Sequence, residues 1–270
     1  MRYFDKERHR LVYINQQATS TFWDAQWQAE NGRETKALAS KNTYVSKLTQ
    51  KYLAPEDGPI LEGGCGNGQH VTALTHNGYR CIGVDYAPRT VLTINRTSPG
   101  LQVYLGDVRN LSFTSNYFMG YWSIGVIEHF WDGYEAIAQE MVRVIQPGGY
   151  LFLTFPYMSP FRKLKAKLGF YNRRSDFQGQ PADFYQFALN HHAVIQKFQE
   201  LGFQLVDTKS LDGLKGFKDE IGAFKPVLQK FYNYRGRSVL IRGSRKILTE
   251  MLAGFFGHAI LLVLKRVNTL

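Results

Sequence analysis

The residues best suited to chemistry fall in four short groups, and the first is Glu62-Gly63-Gly64-Cys65-Gly66-Asn67-Gly68. Glycines at 64, 66 and 68 let a backbone turn sharply out of a strand and leave room for a ligand against the loop and the next helix start. A dinucleotide-binding loop spaces its glycines as GxGxxG and does not normally carry an acid just before them, which sets this loop apart. Asp85 closes the next apolar run, where a carboxylate can accept hydrogen bonds from both hydroxyls of a ribose. Asp107 closes the run after that, where it could take the exocyclic amine of adenine. Each aspartate has a structural alternative, the capping of the helix that follows it. Glu128 and His129 form the fourth group, and an imidazole titrates in the range that a general base needs.

Positioning these groups requires strands that end where the groups begin. Apolar runs rich in Ile, Val, Phe and Tyr occur near Ile60, up to Asp85, up to Asp107, up to about Val126 and up to Pro156, with two later ones near Leu205 and in HAILLVLKR. Between them, 68–77, 87–96 and 134–145 have helical spacing, and Gln146-Pro147-Gly148-Gly149 reads as a stop before the fifth strand. The expected fold is therefore α/β, a doubly wound Rossmann-like sheet with helices on both faces and ligands at the carboxyl ends of the strands.

The chain reads as a single domain. Residues 1–54 would form an N-terminal helical cap, with Phe22-Trp23-Asp24 and Trp27 either covering a pocket or packing independently; 55–156 would be the ligand-binding core. Residues 157–190 and 213–256 would be insertions forming a lid, and 191–212 with 257–270 would complete the sheet. With 44% hydrophobic and 20% charged residues, widespread disorder is not expected. Cys65 and Cys81 lack CxxC or His-rich spacing and read as small buried hydrophobes, so neither a disulfide framework nor a metal site is expected. The run from Met251 to Leu264 is too short to span a bilayer and reads as a buried strand. His191 and His192 read as capping or surface residues. The N-terminus lacks the apolar stretch of a secretory leader, so a cytoplasmic location is expected.

Charge is uneven. Residues 1–155 hold 14 Lys and Arg against 14 Asp and Glu, whereas 156–270 hold 19 against 8, so the whole net charge of +11 sits in the second part. That asymmetry points to an anionic partner or to a solvated basic surface. In 213–256, Ile221, Phe224, Leu228 and Phe231 recur at helical spacing, as do Ile247, Met251 and Phe255. Lys218, Lys225, Lys230, Arg235, Arg237, Arg242, Arg245 and Lys246 surround them. The expectation is a basic amphipathic cover over the acceptor side, working peripherally at a membrane or on an anionic, lipid-linked acceptor.

In these motifs the sequence resembles the class I S-adenosylmethionine-dependent methyltransferases, over roughly 55–210 and the last strand. LEGGCGNG stands at the cofactor loop, GVDYAP at the ribose acid, GDVRNLSF at the adenine contact, SIGVIEHF at the end of the fourth strand, and VIQPGGYLFLTFP at the turn into the fifth. The likeness is to the small-molecule branch, which includes quinone-biosynthesis and surface-glycan enzymes. It implies seven strands with the last antiparallel. It also implies that Glu62 orders the loop and reaches the methionine amino group through it, that Gly64, Gly66 and Gly68 line the methionine and ribose, and that Asp85 holds the ribose. Tyr86 would cover adenine, Asp107 and the Val108 backbone would read its edge, and Ser123 and Gly125 would lie beneath the sulfonium. Glu128 and His129 would be the acid-histidine pair, with His129 as base, acceptor-orienting residue or packing residue. The expected reaction is O-methylation of a small-molecule, lipid-linked or glycan acceptor. The rivals are an RNA or DNA methyltransferase and a non-catalytic S-adenosylmethionine-binding protein. Against the first, Ser123-Ile124-Gly125-Val126 stands where amino-directed base methyltransferases carry Asp/Asn-Pro-Pro-aromatic.

Overall fold

The computed structural model describes residues 1–34, 43–173, 181–222, 225–234, 236 and 238–267. The chain opens with β1 (Arg2–Asp5), β2 (Arg10–Ile14), α1 (Ser20–Glu34), α2 (Tyr44–Tyr52), β3 (Ile60–Gly63), α3 (Gln69–His76), β4 (Cys81–Asp85), α4 (Pro88–Thr97) and β5 (Gln102–Leu105). It continues with β6 (Phe118–Ile124), α5 (Glu135–Val144), β7 (Ile145–Pro156), α6 (Pro160–Lys167), β8 (Asn172–Arg173), β9 (Phe184–Ala188), α7 (His191–Glu200) and β10 (Phe203–Leu211). Last come α8 (Gly213–Glu220), α9 (Lys225–Tyr232), α10 (Val239–Phe256) and β11 (Ala259–Arg266).

These elements divide into two compact units, the division falling within β7, α7, β10 and β11. One unit, Gln17–Leu153 with Gln196–Asp207 and Leu262–Leu270, carries most of a seven-stranded sheet ordered β10-β11-β7-β6-β3-β4-β5. Its last strand is antiparallel, as expected. Strand β3 lies inside the sheet and pairs in parallel with β4 and β6, so the loops after these strands emerge at one edge. All four residues of β3 and all five of β4 are buried, the signature of strands covered on both faces. Amphipathic helices supply the cover. Val71, Ala73 and Leu74 of α3, Val91 and Ile94 of α4, and Ile137, Ala138, Met141 and Val144 of α5 turn inward. Cys65 and Cys81 are buried and free.

The other unit, Met1–Gln16 with Thr154–Ile195 and Thr208–Leu261, has a four-stranded sheet ordered β8-β1-β2-β9 and helices α6, α8, α9 and α10. Leu11, Met158, Ala166, Tyr171 and Ala188 make a core cluster there. Its interior also holds a charge network. Arg162, fully buried, donates from Nε to Glu220 Oε1 at 3.0 Å and from Nη1 to the carbonyls of Tyr157 and His258. Arg2 and Lys165 donate to the same carboxylate at 2.6 and 3.0 Å, and the Tyr171 hydroxyl does so at 2.6 Å.

Four readings of the sequence change. The stretch read as a helical cap begins with the β1–β2 hairpin, because β2 pairs with β9, 170 or more residues away. Gln146-Pro147-Gly148-Gly149 lies inside β7 rather than before it. The run from Met251 to Leu264 is the end of α10, a break at Gly257 and β11. Ile221 caps the end of α8 while Leu228 and Phe231 belong to α9, so that stripe is not one helix; Phe224, Arg235 and Arg237 lie outside the described residues, as does Phe177.

Candidate active site

Strand β3, between β6 and β4 in the seven-stranded sheet, runs into the glycine loop. Gly64, Gly66 and Gly68 have φ of +75°, +50° and +73°, a region that side chains bearing Cβ rarely adopt. A Cβ at Gly64 would lie 2.5 Å from Val126 Cγ2, and one at Gly66 would lie 2.6 Å from the Trp27 ring. The loop is pinned from β4: the amides of Gly64 and Cys65 donate to the Val84 carbonyl, and that of Gly66 donates to Asp85 Oδ2 at 2.8 Å. Helix α3 then starts at Gln69, whose amide donates to Asn67 Oδ1 at 3.3 Å.

The carboxylates at the strand ends differ. Asp85 is buried and accepts from Gly66 N and from Ala87 N, the latter at 2.9 Å, so the acid that the sequence offered for ribose also shapes the loop. Burial raises its pKa against the pull of those amides. Glu62 is wholly enclosed; burial pushes its carboxyl well up, opposed by the Val71 amide and reinforced by Asp85. Its Oε2 has no hydrogen-bond partner, nor has Ser123 Oγ, on the residue that pairs in register with Gly63. Buried polar atoms left unmatched are costly, and a polar ligand in the loop would satisfy them. Asp107 is different again. It is partly exposed, and Arg109 grips both its oxygens, at 3.0 Å from Nε to each and 2.6 Å from Nη2 to Oδ2. That hydrogen bonding holds the Asp107 carboxyl below its usual range, and a base edge would have to share it. Val108 beside it is buried, and Tyr86, half-exposed, donates its hydroxyl to the Ala18 carbonyl.

After β6 the chain turns at Gly125, φ +68°, into a single 3-10 turn that carries Glu128 and His129. Glu128 is buried, with Oε1 4.0 Å from His129 Nε2. The His129 ring meets Trp23 edge-on at 5.0 Å, Trp23 stacks on Trp27 at 5.7 Å, and Trp27 lies against Gly66. An aromatic line on α1 thus runs from the histidine to the glycine loop. What fixes α1 is Asp24. Its Oδ1 accepts from Thr90 N and Thr90 Oγ1, both at 2.8 Å, and its Oδ2 from Arg89 N at 3.3 Å. It therefore caps α4, whose own N-cap, Ala87, has no side chain to do so.

Within this unit the structure gathers Glu62, the three glycines, Asp85, Ser123, Gly125, Glu128 and His129 at neighbouring strand ends, with Tyr86, Asp107 and Val108 after β4 and β5. The capping role of Asp24 and the residue His70 were not read from sequence. That role gives no local signal, because the helix that Asp24 caps lies 65 residues away. His70 does give one, a histidine in the first turn after a glycine loop; it is partly buried, its Nδ1 has no partner, and desolvation lowers its pKa to about 4. In the other unit His191 is not merely a surface residue. Its ring meets Tyr157 edge-on at 5.3 Å, and desolvation, helped by His192 and Lys163, lowers its pKa to about 4.

Residues 61–153 match a family model described as a methyltransferase domain. A curated relative, a probable S-adenosylmethionine-dependent methyltransferase of Mycolicibacterium smegmatis, is 26% identical over 150 residues, which are 55% of this chain. The chain spans about half the length of that relative, 53% of it. Among solved structures, geranyl diphosphate C-methyltransferase from Streptomyces coelicolor, in complex with Mg2+, geranyl diphosphate and S-adenosyl-L-homocysteine, superposes with a TM-score of 0.53 at 15% identity, covering 90% of this chain and 83% of its own. The [4+2]-cyclase SpnF superposes with 0.55 at 15% identity, covering 95% and 99%. At such identities these two similarities show the fold, and the pair spans two different reactions.

Proposed function

We propose that this chain, whose residues 61–153 match a methyltransferase-domain model, transfers the methyl group of S-adenosylmethionine to a small-molecule acceptor, at a hydroxyl oxygen. The observation that carries the reading is the glycine loop with two buried, unmatched polar atoms, Glu62 Oε2 and Ser123 Oγ, at adjacent strand ends. Those atoms suit a ligand that is cationic and polar at one end, and Asp85, Tyr86, Asp107 and the Val108 backbone suit a nucleoside at the other. When bound, S-adenosylmethionine supplies a methyl group already activated by its sulfonium, so the protein's task is to hold the nucleophile in line with it.

The chain's own residues divide that task. Glu62 and the glycine loop fix the amino-acid end, Asp85 takes the ribose hydroxyls while keeping its hold on Gly66 N, and Ser123 and Gly125 bound the reacting end. His129 accepts the acceptor hydroxyl's proton as the oxygen attacks, and the nearby Glu128 carboxylate favours the imidazolium that results. Trp23 and Trp27 exclude water from this end of the loop. The acceptor proposed is small, anionic, and lipid-linked or a glycan, handled by a protein peripheral to a membrane; the basic excess of residues 156–270 supports this choice. Incubation with methyl-labelled S-adenosylmethionine and fractionated cell extract tests the reading. Label is expected in small, alkali-stable ethers or glycans, together with S-adenosylhomocysteine. Label confined to RNA or DNA, or no S-adenosylhomocysteine from any fraction, would overturn it.

A further inference from the structure

Helix α10 turns its large apolar residues outward. Leu240 is 85% exposed, Ile247 59% and Met251 75%, and their spacing of seven and then four residues sets them on one line along the helix. Phe255, also exposed, extends the line, and Gly243, Ser244 and Gly254 are the small residues beside it. No charged residue interrupts it; by the helical period Glu250 lies nearest, Lys246 and Arg245 further round, and Arg242 almost opposite. The opposite face makes the packing contacts. Phe256 meets Phe217 of α8 at 4.9 Å and Phe161 of α6 at 4.6 Å. The backbones of α8 and α10 also touch, since a Cβ on Gly213 would lie 2.3 Å from Ala253 N. An ordinary surface helix does the reverse, burying its aliphatic residues and exposing its polar ones.

Helix α6 extends the pattern. Phe161 meets Phe255 at 5.7 Å, and beyond it Leu168 is 61% and Phe170 68% exposed, with Lys163 and Lys167 on the same short helix. Large contiguous apolar surface of this kind marks an interaction site. The charge around it is mostly basic: Lys163 and Lys167 adjoin the exposed Leu164 and Leu168 on α6, and α10 carries Arg242, Arg245 and Lys246 against the single acid Glu250. An apolar protein partner needs no such flank, and a second copy would bring the same positive charge to face it. A bilayer with anionic headgroups answers both features, accepting the apolar line at the acyl boundary and the cations among its phosphates. Among the described residues no helix is long and apolar enough to cross a membrane, so contact of this kind lies along the surface.

We propose that α10, with the end of α6, is a docking surface for an anionic bilayer, the helix lying in the plane of the interface. Binding does not depend on the methyl-transfer reading, and the two are measured separately. The full chain is sedimented with phosphatidylcholine vesicles and with vesicles that also contain phosphatidylglycerol, at low and high salt. It is expected to pellet with the second kind only, and less at high salt. Combined Leu240→Ser, Ile247→Ser and Met251→Ser, at sites already in water, should reduce binding by tenfold or more with an unchanged melting temperature and unchanged S-adenosylmethionine affinity. K163E with K167E should abolish the preference for anionic vesicles. Wild-type protein left in the supernatant of anionic vesicles at low salt, or a triple variant that pellets as wild type does, would overturn the proposal. So would a wild-type dimer in ultracentrifugation that the triple variant converts to monomers, which would assign the surface to a second copy.

Discussion

His129 tests the chemistry most locally. It lies against Trp23 and beside Glu128, away from the glycines that would hold the nucleoside. His129→Ala should therefore lower kcat by about 10²–10⁴-fold, the usual range for a general base, and leave S-adenosylmethionine affinity within about twofold. Steady-state kinetics and a binding titration on one preparation check this, and wild-type turnover would make His129 an orienting or packing residue. At this scale the backbone geometry was legible in the sequence wherever it is set locally. Glycines at 64, 66 and 68 announce a turn because positive φ is open to that residue. Asp85 announces itself by ending β4, and Asp107 by following β5. What local reading missed is who else holds these groups: Arg109 on Asp107, and the two backbone amides on Asp85.

Among the elements, the central strands were legible because burial on both faces leaves continuous apolar runs, and α3, α4 and α5 because their apolar residues follow the helical period. The β1–β2 hairpin was not. Its strands, RYFD and RLVYI, are short and carry charge, and they are stabilised by β8 and β9 far along the chain. Periodicity also showed that α10 has one apolar face without telling which way it looks, since that depends on the close approach of α8. Two variants test the element-level account of the site. Asp24→Ala removes the cap that α1 lends to α4 and should lower stability by about 0.5–2 kcal/mol in urea unfolding. It should also weaken cofactor binding, because Trp23 and Trp27 are carried on the same helix; an unchanged midpoint would mean that α1 is held by its aromatics alone. Gly66→Ala forces a Cβ toward Trp27 at an unfavourable φ, and should weaken cofactor binding more than Gly169→Ala, whose site also has positive φ but faces nothing within 4 Å. Equal affinities in the two variants would contradict the close packing of Trp27 on the loop.

At the scale of the molecule, the uneven charge resolves into two environments: cations turned to solvent on α6 and α10, and cations buried around Glu220. Burial works against the Glu220 charge, but Arg162 and Arg2, with hydrogen bonds from Tyr171 and Lys165, outweigh it and hold the carboxyl down at about 2, below the ordinary 4.5. A depressed carboxylate stabilises the fold fully above its unfolded pKa, and that contribution fades as pH falls from about 4.5 through about 2. Glu220→Gln should lower stability by about 3–5 kcal/mol at neutral pH, since it strands buried Arg162, and should flatten the acid limb of the stability profile. Urea titrations across that range measure both, and an unflattened limb would place the acid-sensitive group elsewhere. The central claim, that the glycine loop and the strand-end acids hold S-adenosylmethionine, is tested most directly by calorimetric titration of the wild type and Asp85→Ala with S-adenosylmethionine and S-adenosylhomocysteine. Wild type should bind both, and the folded variant should bind each about ten- to a hundredfold more weakly, the loss of charge-assisted hydrogen bonds worth roughly 1.5–3 kcal/mol. No heat of binding from wild type, or an unchanged constant in the folded variant, would contradict it.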